Sequence, residues 1–472
     1  MHLSGKHRQP AATLLESAPR RQSPVKSGFW LTLIGLPILL VALWFGFSRF
    51  EGDAPRITAP EQIILGQNPQ EIKIQISDED SGIRSVSARL LHEAGSKSLL
   101  QEAYPGDLMA GGQNKGRTST LTLELDAAHG MAPDGNATLV LQVRDWSWRG
   151  GLAGNRAEIS IPVLIDTRPP SLRVESGLTY MHRGGAAAAV YSIEENDLVD
   201  GVRVGDSFFP GYPHPSGEAG RRVSIFAVPV EAPDKIRIEV VAWDRADNEG
   251  TASFPAKVLN RNFRESAIKI DEAFIQQVAN PLAREARFDS TDPAETFRSV
   301  NEDLRLLNEI TIRESLAESG QSSPLWKGAF KQLAGSKVTS RFAEDRSYML
   351  NGEPISRARH YGFDLASVAR APITATADGV VAFAGPLGIY GGCVIIDHGL
   401  GVASLYGHLS EIQVEKGESV EIGQTLGRSG STGLAGGDHL HFAILVGEDY
   451  VDPLEWWDPK WLRSHIGVRL EN

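Results

Sequence analysis

The sequence predicts a mainly β, multidomain chain. It has an N-terminal transmembrane helix, two β-sandwiches, a helical linker and a C-terminal antiparallel β domain. Three observations carry this reading. An uncharged apolar run near the N-terminus is long enough to span a bilayer. Period-two alternation recurs over 52–165 and 166–261, and strand-like runs with tight Gly turns return over 325–460. Between them lies a stretch with apolar steps of three and four. At 472 residues the chain is too long for one core.

Residues 1–28 read as a basic, Pro- and Ser-rich cytoplasmic tail without fixed structure. Residues 29–48 read as the anchor. Phe29 to Phe47 is apolar apart from Thr32, and Trp30 and Trp44 sit where interfacial aromatics belong. Lys6, Arg8, Arg20, Arg21 and Lys26 precede it against the single acid Glu16. The positive-inside rule then keeps the N-terminus in the cytoplasm and places everything after residue 50 on the periplasmic or extracytoplasmic side of the inner membrane, with one pass. A cleaved signal peptide is the rival, but the run is long and no small-residue cleavage site follows.

Ile72-Lys73-Ile74-Gln75-Ile76, Leu121-Thr122-Leu123-Glu124-Leu125 and Leu139-Val140-Leu141-Gln142-Val143 read as half-buried strands. A weak repeat links 52–165 to 166–261. Val143-Arg144-Asp145-Trp146 matches Ala242-Trp243-Asp244-Arg245, and Asn155 matches Asn248. Each unit has the size of a β-sandwich. The pattern resembles bacterial immunoglobulin-like domains, which implies spacers or a surface for an envelope protein partner.

Residues 262–324 read as a helical linker. Asp292-Pro293-Ala294-Glu295 supplies an N-cap acid, Pro at the first helical position and an acid in the first turn. Phe297, Val300, Leu304, Leu307 and Ile310 then form one apolar stripe, a packing surface or a lid. Ser323-Pro324 is expected to start a further helix ending at Gly335.

The net charge of -12 argues against nucleic acid, whose affinity rests on Lys and Arg. The single cysteine, Cys393, excludes an intramolecular disulfide. Its apolar neighbours predict an inert core thiol.

Chemistry concentrates near the C-terminus, in His360, Asp364, His408, His439 and His441. Imidazole with carboxylate is the mix a catalytic zinc prefers. In a strand, residues two apart share a face, so His439 and His441 face one cleft while Leu440 turns to the core. Four residues of extended chain cover roughly 13 Å, so His360 and Asp364 can share an ion only if the chain bends, and Gly362 permits the bend. His408 ends an apolar strand at a cleft edge. His398 also follows such a strand, but its Asp-His-Gly setting reads as a turn and it is left out.

These three elements, in this order, resemble the lysostaphin and LytM family of zinc metalloendopeptidases, which cut peptide bonds in bacterial peptidoglycan. The flanks agree: Val338-Thr339-Ser340-Arg341-Phe342 resembles the family's entry strand, Gly423 to Gly427 and Ser429 to Gly433 its late hairpin, and Val451-Asp452-Pro453 its ending. The resemblance implies that His360, Asp364 and His441 bind one zinc ion per chain. It implies that His408 and His439 do the proton chemistry. Asp438 departs from the family's usual Pro before the triplet, and its charge is expected to raise the pKa of His439. Three protein ligands leave zinc a position for water, whose pKa falls toward roughly 7.

The expected function is a membrane-anchored endopeptidase acting on peptidoglycan peptide stems. The rival is a non-catalytic activator of other wall hydrolases. Such relatives lack one or more of the five positions, and this chain keeps all five. A third reading is a scaffold that recruits partners through the sandwiches.

Overall fold

The computed structural model describes residues 27–471, with side chains from residue 34 onward. The expected basic tail lies outside the described residues but for the backbone of 27 and 28. The expected anchor falls in a helix, Ser27–Arg49, with Pro37 inside it. Ile34, Leu40, Trp44 and Phe47 on this helix are exposed. Among the described residues, no helix is long and apolar enough to cross a membrane. Arg49 ends the helix and is buried, donating to Trp146 O at 2.9 Å.

The chain divides into two compact units, one ending at Ile165 and one running from Asp166 onward, with residues 66–68 counted in the second. In the first unit, a three-stranded sheet orders Arg56–Thr58, Gln70–Asp78 and Arg117–Leu125. A five-stranded sheet centres on Gly135–Asp145 between Arg156–Ile165 and Ile83–His92. Ile74, Ile76, Leu121 and Leu123 of one sheet share a buried core with Val86, Leu90, Leu141 and Val163 of the other. The alternation expected in the sequence thus puts one face of each strand into the core.

The repeat is visible in hydrogen bonds. Asp145 Oδ1 accepts from the backbone of Ser147 and Asn155 at 2.9 and 2.7 Å, and Asn155 Nδ2 returns to Asp145 Oδ2 and reaches Asp53 O. Asp244 Oδ1 accepts from Ala246 and Asn248 at 2.7 and 3.0 Å, and Asn248 Nδ2 returns to Asp244 Oδ2 and reaches Asp166 O. In each case the Asn staples an entering segment to a late turn, satisfying backbone groups that the sheet leaves open.

Residues 166–261 form two four-stranded sheets, one containing Ala186–Ile193 and Arg221–Ala227, the other Val199–Val204 and Ile238–Trp243. Their core is continuous with that of the helices and the C-terminal domain.

The helical expectation for 262–335 needs three corrections. Glu265–Ile270 is a strand, pairing in parallel with Glu344–Leu350; its burial alternates as a strand's does. No helix forms over 323–335, because tertiary partners take the backbone donors there: Leu325 N, Phe330 N and Lys331 N bond His398 O, Trp456 O and Thr376 O. The apolar stripe holds for Phe297, Val300 and Leu304 but leaves Leu307 and Ile310 exposed. A wide π-helical turn at Ser299–Leu304 inserts the equivalent of one residue. The buried face of Arg305–Ser319 therefore moves to Asn308, Ile312 and Ser315. The N-cap holds: Asp292 accepts from Ala294 N at 3.0 Å.

In the C-terminal domain an eight-stranded sheet runs Lys337–Ser340, Phe363–Ala366, Leu440–Val446, Val402–Leu409, Gly391–Gly399, Gly379–Leu387 and Ser419–Val420, with Asp449–Val451 added to Leu440–Val446. Cys393 is fully buried, and burial pushes its thiol pKa up, as an inert core thiol requires.

Glu455, on the helix Pro453–Trp457, is buried and accepts from Ala186 N at 2.9 Å. Burial first, then the charge of Asp452, raises its pKa from 4.5 to about 8. The folded state therefore holds more protons than the unfolded one between these values, and stability falls as pH rises through that window. Glu455→Gln keeps the acceptor and removes the charge. It is expected to match the parent at pH 5 and to melt higher at pH 8.5, the gap being on the order of a few kcal/mol, or roughly 2–4 °C for each. Melting curves against pH for both proteins check this.

Candidate active site

His360 closes the strand Glu353–His360 and Asp364 lies in the next, Phe363–Ala366. The bend between them falls at Tyr361-Gly362, as the spacing requires. Gly362 does not adopt a left-handed backbone. It is needed because a Cβ there would lie 2.6 Å from His441 Cε1 and 2.7 Å from Phe442 O. His441 stands in the central strand Leu440–Val446, directly across from Asp364 on one side and Gly407 on the other. Leu440 faces the core, as alternation demands. His439 immediately precedes the strand and bridges to Gly430.

Three electron-pair donors converge in this buried spot. His360 Nε2 is 2.9 Å from Asp364 Oδ1 and 3.0 Å from His441 Nδ1, and His441 Nδ1 is 3.1 Å from Asp364 Oδ1. Ligands about 2.0–2.1 Å from a tetrahedral ion lie at comparable mutual separations. The triad is also the one group of such donors among the described residues that could hold a metal ion. His360 Nδ1 donates to Arg341 O at 3.0 Å, which leaves Nε2 facing the site. His441 Nε2 is buried without a partner, so packing orients this ring, with Tyr390 at 5.6 Å and His360 at 4.9 Å between centroids.

His408 and His439 complete the cluster. Their rings are 4.7 Å apart, and His439 Nε2 lies 3.5 Å from Asp364 Oδ1. The Nδ1 atoms bond Thr432 O and Gly437 O, each at 2.8 Å, so both rings are fixed with Nε2 free of backbone partners. His408 holds a left-handed backbone at φ 64°, rare for a residue with a side chain and characteristic of functional positions. His398 is the contrast. Its two nitrogens are satisfied by Asp378 O and Ser404 Oγ at 2.7 Å, and burial lowers its pKa to about 4.

The charges are coupled. Burial alone would raise Asp364, but the charge of His360 and hydrogen bonds from His360, His439 and His441 hold it well below the ordinary carboxylate range. Burial, then the charges of His439 and His441, pull His408 down to about 3. Burial lowers His439 too, yet the hydrogen bond and charge of Asp364 raise it overall. The expected agent, Asp438, is instead engaged by Ser429 Oγ at 2.6 Å and Arg370 N at 2.9 Å. The direction holds and its cause is corrected.

Arg346 was missed by sequence reasoning, since a lone arginine in a polar strand carries no spacing signal. Its guanidinium donates to Asp364 Oδ2 at 2.9 Å and to Ser340 Oγ at 2.6 Å. It is a positioning residue for the carboxylate. Arg346→Met keeps the length and loses both bonds. Apparent zinc affinity, measured against a competing chelator, is expected to fall about 10–100-fold.

The triad opens on a cavity of about 710 Å³. One wall comes from the C-terminal domain through Tyr390, His408, His439 and His441; the other comes from Ile268, Lys269, Phe274, Phe297 and Arg305. Of the stripe anticipated as packing surface or lid, Phe297 lines this cavity, while Val300 and Leu304 are buried in the core.

Residues 358–453 match the model of Peptidase family M23. This stretch is an M23 peptidase domain. It is similar to DD-carboxypeptidase/endopeptidase Mpg of Neisseria meningitidis serogroup B, 41% identical over 95 residues that cover 20% of this chain and 22% of that protein. It is similar to peptidoglycan DD-endopeptidase ShyA of Vibrio cholerae, 40% identical over 112 residues, 23% of this chain and 25% of that protein. The chain therefore spans about a quarter of the length of these curated relatives. Among solved structures, the catalytic domain of the antimicrobial peptidase lysostaphin from Staphylococcus simulans is 29% identical, with 27% of this chain and 96% of that one covered at a TM-score of 0.23. The M23 match holds all five histidine and aspartate positions, and Arg346, Lys269 and Arg305 lie outside it.

Proposed function

We propose that the chain is a membrane-anchored zinc metalloendopeptidase that hydrolyses peptide cross-links in bacterial peptidoglycan, outside the cytoplasmic membrane. The convergence of His360, Asp364 and His441 on one point, with His408 and His439 beside it, carries this reading. The names of the M23 relatives support the substrate class. The uncharged run Phe29 to Phe47 behind a basic tail supports the anchor. The repeated sandwiches suit an envelope protein partner. As the bond cut, we favour a D-alanyl link to diaminopimelate over a glycine bridge, and the DD-endopeptidase name of the Vibrio cholerae relative supports a D,D bond.

His360 Nε2, Asp364 Oδ1 and His441 Nδ1 would hold the zinc. When bound, the ion supplies a Lewis acid for the scissile carbonyl and a water acidic enough to ionise near neutral pH. His408 and His439 face this point with fixed rings. One Nε2 takes the water proton and returns a proton to the leaving amine; the other hydrogen-bonds the oxyanion. Arg346 holds Asp364 in place, and the apolar wall of Ile268, Phe274 and Phe297 limits water around the reacting bond.

Full-length protein in detergent, incubated with purified sacculi, is expected to release soluble peptide fragments. A chelator is expected to stop the release and added zinc to restore it. Chromatography of the fragments names the bond. Intact sacculi with zinc-loaded protein would overturn the reading.

A further inference from the structure

The helix Ser27–Arg49 does not end free. Its last turn packs onto the first sandwich, within the same compact unit. Phe45 and Phe50 set their rings edge-on against Trp148, at 5.9 and 5.6 Å between centroids. Arg49 O accepts from Trp148 N at 2.8 Å, and Arg149 Nε donates to Phe50 O at 3.1 Å. With the Arg49 bond to Trp146 O, these contacts make a fixed joint rather than a slack linker.

The joint sets a height. Phe45 lies inside the apolar run that ends at Phe47, and a helix rises about 1.5 Å per residue. Trp148, against Phe45, therefore stands level with the last turn of that run. Apolar side chains flank it in solvent: Met109 is 64% exposed and Leu152 47%. Both are tied to Trp148. Its indole N–H donates to Leu108 O at 2.6 Å, and its backbone O accepts from Leu152 N at 3.2 Å. Leu152 holds a left-handed backbone at φ 69°, with Arg84 donating to its carbonyl at 2.8 Å. An indole whose N–H is already paired suits an apolar boundary layer. The charged groups at this end are Arg49, Arg84 and Arg149 with Glu51, Asp53 and Asp107. Asp107 turns back to accept from Met109 N and Ala110 N at 2.8 and 2.7 Å. Neither sign dominates, so the attraction here is apolar.

We infer that segments 105–112 and 146–153 form a membrane-contact surface, with Met109, Trp148 and Leu152 entering the interfacial layer of a phospholipid bilayer beside the helix. The inference rests on the anchor reading proposed above and adds a second, non-helical contact that holds the first sandwich in one pose on the lipid. Continuity with the helix names the occupant: side chains that touch Phe45 of a spanning helix lie at the depth of lipid.

The test uses the full-length chain in phosphatidylcholine nanodiscs, spin-labelled at one introduced cysteine at a time. Cys393 is fully buried, and the unmodified chain gives the background. Met109→Cys and Leu152→Cys probe the surface, and Val41→Cys probes the helix. Ala94→Cys is the aqueous control: it follows the strand Ile83–His92, whose other end pairs Ile83 with Asp145 beside Trp146. Paramagnetic resonance reads collisions with oxygen, which dissolves in lipid, and with a water-soluble nickel chelate. Labels at 109 and 152 are expected to lose nickel collisions and keep oxygen collisions, as at 41, while the label at 94 keeps both. Labels at 109 and 152 that match 94 overturn the surface and leave the anchor standing if 41 still excludes nickel. Labels at 109 and 152 that exclude both reagents show a protein neighbour, a second copy included, and overturn it too. A label at 41 open to nickel removes the anchor and the surface together.

Discussion

Replacing His441 with alanine is expected to take the zinc content of the purified chain from about one ion to none and to abolish release of fragments from sacculi. The effect should be the largest of any single change. His441 Nδ1 lies about equally far from His360 Nε2 and Asp364 Oδ1, so its loss leaves a two-donor site. Two donors do not make a zinc site of catalytic type, which uses three protein ligands. The hole also removes the ring against which Gly362, Tyr390 and His408 pack. Metal analysis of the dialysed protein checks the claim. Near-stoichiometric zinc in the variant would show that the ion sits elsewhere. A His441→Asn arm separates lost ligation from lost packing.

Replacing His439 with alanine should split the two properties. Its Nε2 is 3.5 Å from the carboxylate oxygen, outside the triangle of closer donors, and its ring is held by Gly437 O. Zinc should remain near one per chain. Turnover should fall by about 10²–10⁴-fold, the usual contribution of a positioned proton-transfer group. Paired measurement of metal content and fragment release decides this. A variant that keeps full activity would remove His439 from the proton chemistry and leave His408 as the only candidate.

The sequence was most legible where chemistry and period coincide. Alternation placed His441 inward and Leu440 in the core, and the distance argument demanded a bend between His360 and Asp364. Gly362 was singled out for the right position, but its constraint is the approach of the His441 ring, a long-range contact that local pattern does not encode. Arg346 was invisible because its partner, Asp364, comes from another strand. The strand Glu265–Ile270 was missed for a related reason. It is short, and it becomes a strand by pairing in parallel with Glu344–Leu350, its partners eighty positions on. The predicted helix at 323–335 failed where backbone carbonyls from distant segments claimed its amide donors.

The wide turn at Ser299–Leu304 fixes more than the buried face of its helix. It brings Asn308 round to accept from Ile389 N at 2.9 Å, and Glu309 round to the Tyr390 hydroxyl. Tyr390 in turn abuts His441. Chain length between the cap at Asp292 and the left-handed stop at Gly320 is thus tied to the catalytic cleft. A one-residue deletion in that interval would rotate every later side chain by about 100°. Homologous chains that vary in length there should do so only by changes that restore the same phase.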